Sequence, residues 1–366
     1  MTTQQPLLVF RWGIISTGEI SKAFVKDILL DPKTRGVQDV VHKVAAVGSR
    51  NIESAISFVG KLIDTDERTK VYGNYSGVYN DPDVDVVYIG TPHTFHYQNA
   101  VDAIKAGKHV LVEKPATTNA AEFRSLVDLA AKHGVFLMEA MWTRFQPIAL
   151  AVKRVIDEGR IGAPVLVHAD LSGDFDIENL PLTHRILDPN LGGGAILDLG
   201  PYPLVWAIIA LYEHPANRRL KPMVSSSMIK TPLTGVDRST CFTLNFPELA
   251  AQAQLSCNIN VPSQSISATL RFRNGNILIP EPLYRPKSFT VQYFDRPSSG
   301  KVQREETTHF EVLGGGWHFQ ADEVARCVRD GKPESSVWGH DKTLLEMEIF
   351  DEVRHQGGYR LPEEAI

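Results

Sequence analysis

Three side chains of different chemistry command notice first. Lys114 ends the run Val112-Glu113-Lys114-Pro115. Asp198 and Tyr202 lie four residues apart in Gly192-Gly193-Gly194-Ala195-Ile196-Leu197-Asp198-Leu199-Gly200-Pro201-Tyr202, so a helical segment would put both on one face. An amine, a carboxylate and a phenol are groups that hold and move protons. The plain alternatives are a surface lysine ahead of a proline-started helix, and an aspartate serving as a helix N-cap.

A second group suits a phosphate-rich ligand. The apolar run 7–15 leads into Ser16-Thr17-Gly18-Glu19-Ile20-Ser21. A glycine at a strand–helix turn lets a pyrophosphate approach the backbone, and the helix start offers N–H groups and positive dipole. Of the three glycines in the usual spacing, only the close-approach one, Gly18, is present; Ser16 and Ser21 hold the other positions. A second run ends in Val47-Gly48-Ser49-Arg50. A carboxylate there would select a ribose 2′-hydroxyl, whereas Arg50, helped by Ser49, attracts a 2′-phosphate. A third ends in Ile89-Gly90-Thr91-Pro92-His93, with His96 following. Gly90 and Pro92 would wall a nucleotide. His93 suits the lining of a crevice and His96 suits capping and packing. Two histidines without a carboxylate or thiolate beside them make a poor metal set, and no metal is expected.

These groups need a scaffold that gathers strand ends. Residues 1–140 alternate apolar strands (7–15, 44–47, 84–89, 109–112, 135–138) with helical patterns (19–30, 96–106, 120–132). Short apolar strands between helices predict a doubly wound parallel sheet, with ligands outside its carboxyl ends. Residues 141–366 read differently. A strand at 165–171 and a helix at 203–212 precede period-two runs at 224–229, 240–246, 251–259, 266–272 and 289–294. Asn274-Gly275 reads as the turn of a hairpin, and the whole as a mainly antiparallel sheet. Helices at 320–329 and 342–353 close the chain and are candidates to pack back on the first domain.

Composition narrows the class. The chain has 366 residues, 43% hydrophobic and 22% charged, which excludes disorder as the dominant state and leaves room for two cores. A net charge of -5 without a Lys/Arg block argues against nucleic acid as a partner. Cys241, Cys257 and Cys327 are too few and too scattered for a disulfide framework or a zinc site. The run 7–15 contains Arg11 and is too short to span a bilayer. Met1 to Pro6 lacks the basic start of a leader, and Pro362-Glu363-Glu364-Ala365-Ile366 matches no lipidation signal. The expectation is a cytoplasmic protein without a membrane partner.

Together the turn at Gly18, Thr91-Pro92, Glu113-Lys114-Pro115 and Gly192-Gly193-Gly194 through Asp198 and Tyr202 resemble the glucose–fructose oxidoreductase / inositol dehydrogenase (Gfo/Idh/MocA) family over nearly the whole chain. Met138-Glu139-Ala140-Met141-Trp142-Thr143-Arg144-Phe145 is similar to its branch of NADP-dependent D-xylose 1-dehydrogenases and dimeric dihydrodiol dehydrogenases. So is tyrosine at 202, where many members carry histidine. Tyr284-Arg285-Pro286, Trp317-His318-Phe319 and Asp322-Glu323-Val324 resemble the xylose-oxidising group. Ser16 departs from the family's usual glycine.

The resemblance implies an N-terminal Rossmann domain binding NADP, at 1–140. It also implies a substrate-binding C-terminal α/β domain, at 141–366, whose open sheet forms a homodimer. The cofactor set is then Ser16, Thr17, Gly18, Glu19, Ile20, Ser49, Arg50, Gly90, Thr91, Pro92, His93, His96, Glu113, Lys114, Trp142 and Arg144. A sugar or diol substrate would meet Lys114, Asp174, Phe175, Asp176, His184, Arg185, Asp198, Tyr202 and Tyr284, with Trp142 and Phe145 as aromatic platform. The expected reaction is hydride transfer from C1 of an aldose, D-xylose favoured, giving the lactone. Tyr202 is the expected base. A phenol ordinarily titrates near 10, and lowering it by about three units takes about 4 kcal/mol. One ammonium about 4 Å away supplies about that amount at an effective dielectric near 20, which is the role given to Lys114. Lys114 as the immediate base is the alternative. Asp198 would orient a hydroxyl or the amine, since a carboxylate raises a neighbouring phenol. Trans-dihydrodiols and other sugars reduced by NADPH are rival substrates. A non-catalytic NADP-binding regulator would have no need of Lys114, Asp198 and Tyr202 together.

Overall fold

The computed structural model describes residues 7–63 and 68–362. Met1–Pro6 and Glu363–Ile366, read above for targeting signals, lie outside them. Contacts divide the chain into two units, Met1–Trp142 with Val312–Leu344, and Thr143–Glu311 with Leu345–Ile366. A single cut near residue 140 therefore misses the segment Val312–Leu344, which belongs to the first unit.

The first unit runs β1 (Leu8–Ile15), α1 (Glu19–Ile28), β2 (Val40–Gly48), α2 (Ile52–Leu62), β3 (Lys70–Tyr72), α3 (Ser76–Tyr79), β4 (Val86–Ile89), α4 (His96–Lys105), β5 (His109–Glu113), α5 (Ala120–His133) and β6 (Leu137–Ala140). The sheet has the order β3-β2-β1-β4-β5-β6 and every pairing is parallel. Every residue of β4 and β6 is buried, as expected of strands covered on both faces. α2, β3 and α3 are additions to the sequence reading. Three residues at a sheet edge carry too little pattern to register as a strand.

Buried polar groups tie this unit together. Asp27, on the inner face of α1, accepts from the N–H of Gly315 at 2.9 and 3.0 Å and of Trp317 at 2.8 Å. It thereby caps α10 (Trp317–Arg329), which starts at Gly316 with φ +95° and no side-chain cap of its own. Asp322 of α10 bonds the buried His42 (2.9 Å) and Arg35 (2.8 Å), while the Trp12 indole donates to the other His42 nitrogen. The Asp322-Glu323-Val324 motif is thus an anchor of α10. The Phe24 and Tyr88 rings stack at 3.9 Å, and the Tyr88 hydroxyl donates to Glu113 at 2.6 Å.

The second unit holds α7 (Pro147–Asp157), preceded by the single turn α6 (Trp142–Phe145), then β7 (Pro164–Ser172), α8 (Ala195–Asp198) and α9 (Pro201–Ala207). Strands β8 (Met223–Lys230), β9 (Asp237–Phe246), β10 (Ala251–Asn258), β11 (Ile266–Phe272), β12 (Gly275–Pro280), β13 (Ser288–Phe294) and β14 (Val302–His309) follow. With β7 they make an eight-stranded sheet, β14-β13-β12-β11-β7-β10-β9-β8. It is mainly antiparallel, with β7 and β10 parallel. The helix α11 (His340–Gln356) is shared between the units at Leu344. The stretch 189–212 is long and apolar enough to cross a membrane, and its most apolar window is wholly buried inside the protein, as a core helix is.

Two expectations need correction. The hairpin turn is Arg273-Asn274, one residue earlier than read, because Gly275 already pairs with Phe272. The N–H groups of Arg273 and Asn274 donate to Ala163 and Ile161, which holds the turn in that register. Gly275 is required by close approach instead: a Cβ there would lie 2.1 Å from the carbonyl oxygen of Gln292. The edge strand β14 was not foreseen, because Val302–His309 is exposed at every position and has no apolar face to alternate.

Burial pushes the Glu113 carboxyl up to about 7, against the opposing pull of Tyr88 and Lys114. An unfolded glutamate loses its proton near 4.5, so between about 4.5 and 7 only the folded chain holds this proton. Stability therefore falls as pH rises through that window and levels off above it. Glu113→Gln should flatten this part of the profile, measured by denaturant unfolding across the window; an unchanged slope would assign it to another group.

Candidate active site

Parallel register puts the first unit's functional loops on one rim. Gly48, Ile15, Ile89, Val112 and Glu139 are successive partners across β2, β1, β4, β5 and β6. From that row spring Ser49-Arg50, Ser16-Thr17-Gly18, Gly90-Thr91-Pro92 and Lys114. Strand order reverses between β1 and β4, the place where such sheets open a ligand crevice.

The turn after β1 solves the missing glycines in two ways. Ser16 takes the left-handed conformation itself, φ +79°, at a cost of roughly 1–2 kcal/mol for a residue with a Cβ. Its hydroxyl accepts from the Gly18 N–H at 3.4 Å. Ser21 is buried where a third glycine would allow close packing, and the space is found on the facing strand. A Cβ on Gly90 would stand 2.4 Å from the Ser21 hydroxyl. The first turn of α1 has Gly18 as N-cap and no side-chain cap, whereas α2 and α5 are capped by Asn51 and Asn119. The N–H groups of α1 are thus presented to an anion. Ser49 is buried and Arg50 exposed at the end of β2, with no acid between them and the strand. These features fit a dinucleotide carrying a 2′-phosphate.

Other expected cofactor residues sit as follows. Thr17 and Ile20 are half-buried beside the turn, and exposed Glu19 pairs with Lys22 at 2.5 Å. His93 is half-buried. His96 is wholly buried, and its ring nitrogens lie 2.8 Å from the carbonyl oxygens of Thr91 and Pro115. It fastens the two loops to each other and is closed off from any ligand. Lys114 is half-buried and precedes a cis proline, and Glu113 is buried beneath it. Glu139 holds this loop from below: it accepts from the N–H of Ala116, the Trp338 indole and the Thr343 hydroxyl, each at 2.9 Å. Trp142 is buried and stacks on Trp317 at 4.4 Å. Arg144, in the second unit, is buried and bonded to Glu213 at 3.0 Å through one nitrogen, while its Nε and Nη1 have no hydrogen-bond partner among the described residues.

In the second unit α8 ends at Asp198 and α9 opens with Pro201 and Tyr202, both side chains largely buried. The Asp198 carboxylate meets the half-exposed Arg185 at 3.0 Å. The Tyr202 and Tyr284 rings lie 5.6 Å apart at 55°. Asp174 and Asp176 are exposed and spend oxygens on local turns, with the Asp176 N–H and the Asn179 amide respectively. Phe175 is half-buried, and half-buried His184 accepts from the Ile186 N–H. Asp237 escaped the sequence reading. It is out of step with the inward residues of β9 (Thr240, Phe242, Leu244 and Phe246) and is buried beside a register shift against β8, so alternation along the strand gave no signal of it. Among the described residues no cluster of His, Cys, Asp or Glu could hold a metal.

Comparison with known proteins decides the family. Residues 10–141 match the model of an oxidoreductase family with an NAD-binding Rossmann fold, and residues 149–278 match the GFO/IDH/MocA C-terminal domain. The chain belongs to the Gfo/Idh/MocA oxidoreductase family. It is an enzyme of the nicotinamide-dependent dehydrogenase type, built as its sequence implied from a Rossmann sheet and a mainly antiparallel one. It is 36% identical to D-xylose 1-dehydrogenase (NADP(+)) of Hypocrea jecorina, over 96% of this chain and 93% of that one. It is 31% identical to trans-1,2-dihydrobenzene-1,2-diol dehydrogenase of Homo sapiens, over 98% and 99% respectively. A 3-ketoreductase from Actinomadura kijaniata, solved with NADP and TDP-benzene, shares the fold with a TM-score of 0.78 at 22% identity, covering 96% of this chain and 98% of its own.

If Arg50 reads the 2′-phosphate, Arg50→Ala should weaken NADP(H) at least about tenfold, the worth of one charge-assisted hydrogen bond, and leave NAD(H) within about twofold. Fluorescence titration with both cofactors measures this, and equal loss for both would exclude the role.

Proposed function

We propose that the enzyme oxidises an aldose at C1 with NADP⁺, D-xylose being the favoured substrate, and releases the lactone. The observation that carries this reading is the second unit's pairing of Asp198 and Tyr202 on consecutive helical segments, in a chain whose other unit presents a dinucleotide rim. The relative named for D-xylose and NADP supports the substrate and the cofactor. Arg50 and Ser49 support NADP on electrostatic grounds.

NADP⁺, when bound, supplies the hydride acceptor. The α1 N-terminus and the Gly18 turn hold its pyrophosphate, and Ser49 and Arg50 its 2′-phosphate. As the C1–H leaves as hydride, the C1 hydroxyl proton must leave too, and Tyr202 takes it. In the sequence reading Lys114 has one of two roles in this step, a supporting positive charge or, when neutral, the base itself. Asp198, kept in place by Arg185, accepts from a substrate hydroxyl. Tyr284 beside Tyr202 offers an aromatic wall to the sugar's C–H face. The same wall would suit a trans-dihydrodiol, the substrate named for the relatives at 31% identity. Initial rates on a panel of aldoses and diols separate the two.

A cytoplasmic location belongs to this reading, in keeping with three free thiols. So does a homodimer through the polar face of the eight-stranded sheet, where Gln252, Gln254, His168 and Arg271 are exposed. Light scattering should give twice the chain mass, and a monomer at working concentration would exclude it. Tyr202→Phe should lower kcat by about 10²–10⁴-fold, the usual worth of a general base, with NADPH binding nearly intact. Turnover at the wild-type rate would refute the base.

A further inference from the structure

The segment that carries Asp198 and Tyr202 is not stable on its own terms. α8 is four residues long, far below the length at which an isolated helix holds together. Its N-cap, Gly194, has φ +109° and no side chain with which to cap. The cap comes from another element. Asp237, at the start of β9 and wholly buried, accepts the Ile196 N–H at 2.8 Å and the Thr240 hydroxyl at 2.7 Å on one carboxylate oxygen. Its other oxygen has no hydrogen-bond partner among the described residues and lies 2.0 Å from where a Gly194 Cβ would be. Gly194 is glycine for this reason as much as for its backbone angle.

Burying a carboxyl this deeply is costly. Desolvation pushes it up to about 6, opposed by Thr240 and by the amides of Ile196 and Ala195, and the buried Cys257 thiol also feels its charge. The hydrogen bonds leading away from it reach the main chain of Tyr202 and of Leu199, the residue next to Asp198. Ala195 accepts from Leu199 at 2.8 Å, and Leu199 accepts from Tyr202 at 3.1 Å. Ile196 accepts from Gly200 at 3.1 Å, and a Cβ on Gly200 would strike the Ile196 carbonyl oxygen at 2.3 Å. Between the residues held by Asp237 and the two catalytic side chains there is little slack.

We propose that Asp237 is a positioning residue: by capping α8 from β9 it sets where Asp198 and Tyr202 meet the substrate. This rests on the assignment of Asp198 and Tyr202 made above. Asp237 touches neither substrate nor cofactor in this role.

Three variants test it beside Tyr202→Phe, with D-xylose and NADP⁺ followed by NADPH absorbance, NADP⁺ affinity by fluorescence and folding by thermal melting. Asp237→Ala should lose roughly 10²-fold in kcat, the effect of an ångström-scale misplacement, with NADP⁺ affinity and sugar KM within about threefold. Asp237→Asn keeps an accepting oxygen for Ile196 and Thr240 and should recover kcat to within about fivefold. Thr240→Val removes one of the two donors and should fall between them; with Asp237→Asn it carries the test if the alanine variant does not fold. A folded Asp237→Ala with wild-type kcat, or an Asp237→Asn as slow as alanine, overturns the proposal. If Tyr202→Phe is active, the site assignment fails instead; if Tyr202→Phe is dead and Asp237→Ala active, only the positioning role fails.

Discussion

A buried carboxylate accepting main-chain N–H groups from a distant segment recurs through this molecule, and the presentation of its functional loops depends on it. Asp27 caps α10 across 288 and 290 residues of sequence. Glu139 holds the amide of Ala116, two residues beyond Lys114. Asp237 caps α8, two residues short of Asp198. The helices α10 and α8 both begin at a glycine with positive φ and no side chain for capping. A local serine or aspartate cap would stabilise each helix start. A remote carboxylate does so too, and ties that start to a particular place in the core.

Such ties are costly to bury and stabilise only when their hydrogen bonds are made. Asp27 and Glu139 spend both oxygens on amides, a hydroxyl or an indole, and Asp237 spends one of its two on an amide and a hydroxyl. Asp322 does the same with His42 and Arg35, where the buried imidazole is pushed towards its neutral form, receives from Trp12 on one nitrogen and meets the carboxylate on the other. The outcome is a pair of units with apolar cores in which the few charged groups inside are anchors. Several of the proposed ligand-facing groups, Arg50, Arg185 and Tyr284 among them, are exposed.

Much of the first unit was legible because a parallel sheet covered on both faces writes itself as short apolar runs between helical stretches. The runs at 84–89 and 109–112 became β4 and β5 with small changes of boundary. Among the elements that escaped, β3 has only three residues and β14 is fully exposed, whereas α2 and α7 carry apolar residues at helical spacing and were passed over. The Asn274-Gly275 signal found the right hairpin and the wrong turn residues, since hydrogen bonds donated to the carbonyls of Ile161 and Ala163, more than a hundred residues back, override local turn preference. Ser16 and Ser21 looked like defects of a phosphate turn. In three dimensions one adopts the glycine angle and the other is accommodated by Gly90.

Residue identity in short strings was enough to raise the chemistry proposed here: an anion-binding turn at Gly18, a charge for a 2′-phosphate at Arg50, and an amine, carboxylate and phenol at 114, 198 and 202. Those properties belong to side chains and their immediate neighbours, so they survive without coordinates. Which residues are committed elsewhere could be learned from the folded chain alone. Arg144 is paired with Glu213 through one nitrogen, His96 lies against two carbonyls, and Asp237 is recruited to α8. The reason is that a hydrogen bond is decided by distances of a few tenths of an ångström between groups whose separation along the chain carries no information about their separation in space.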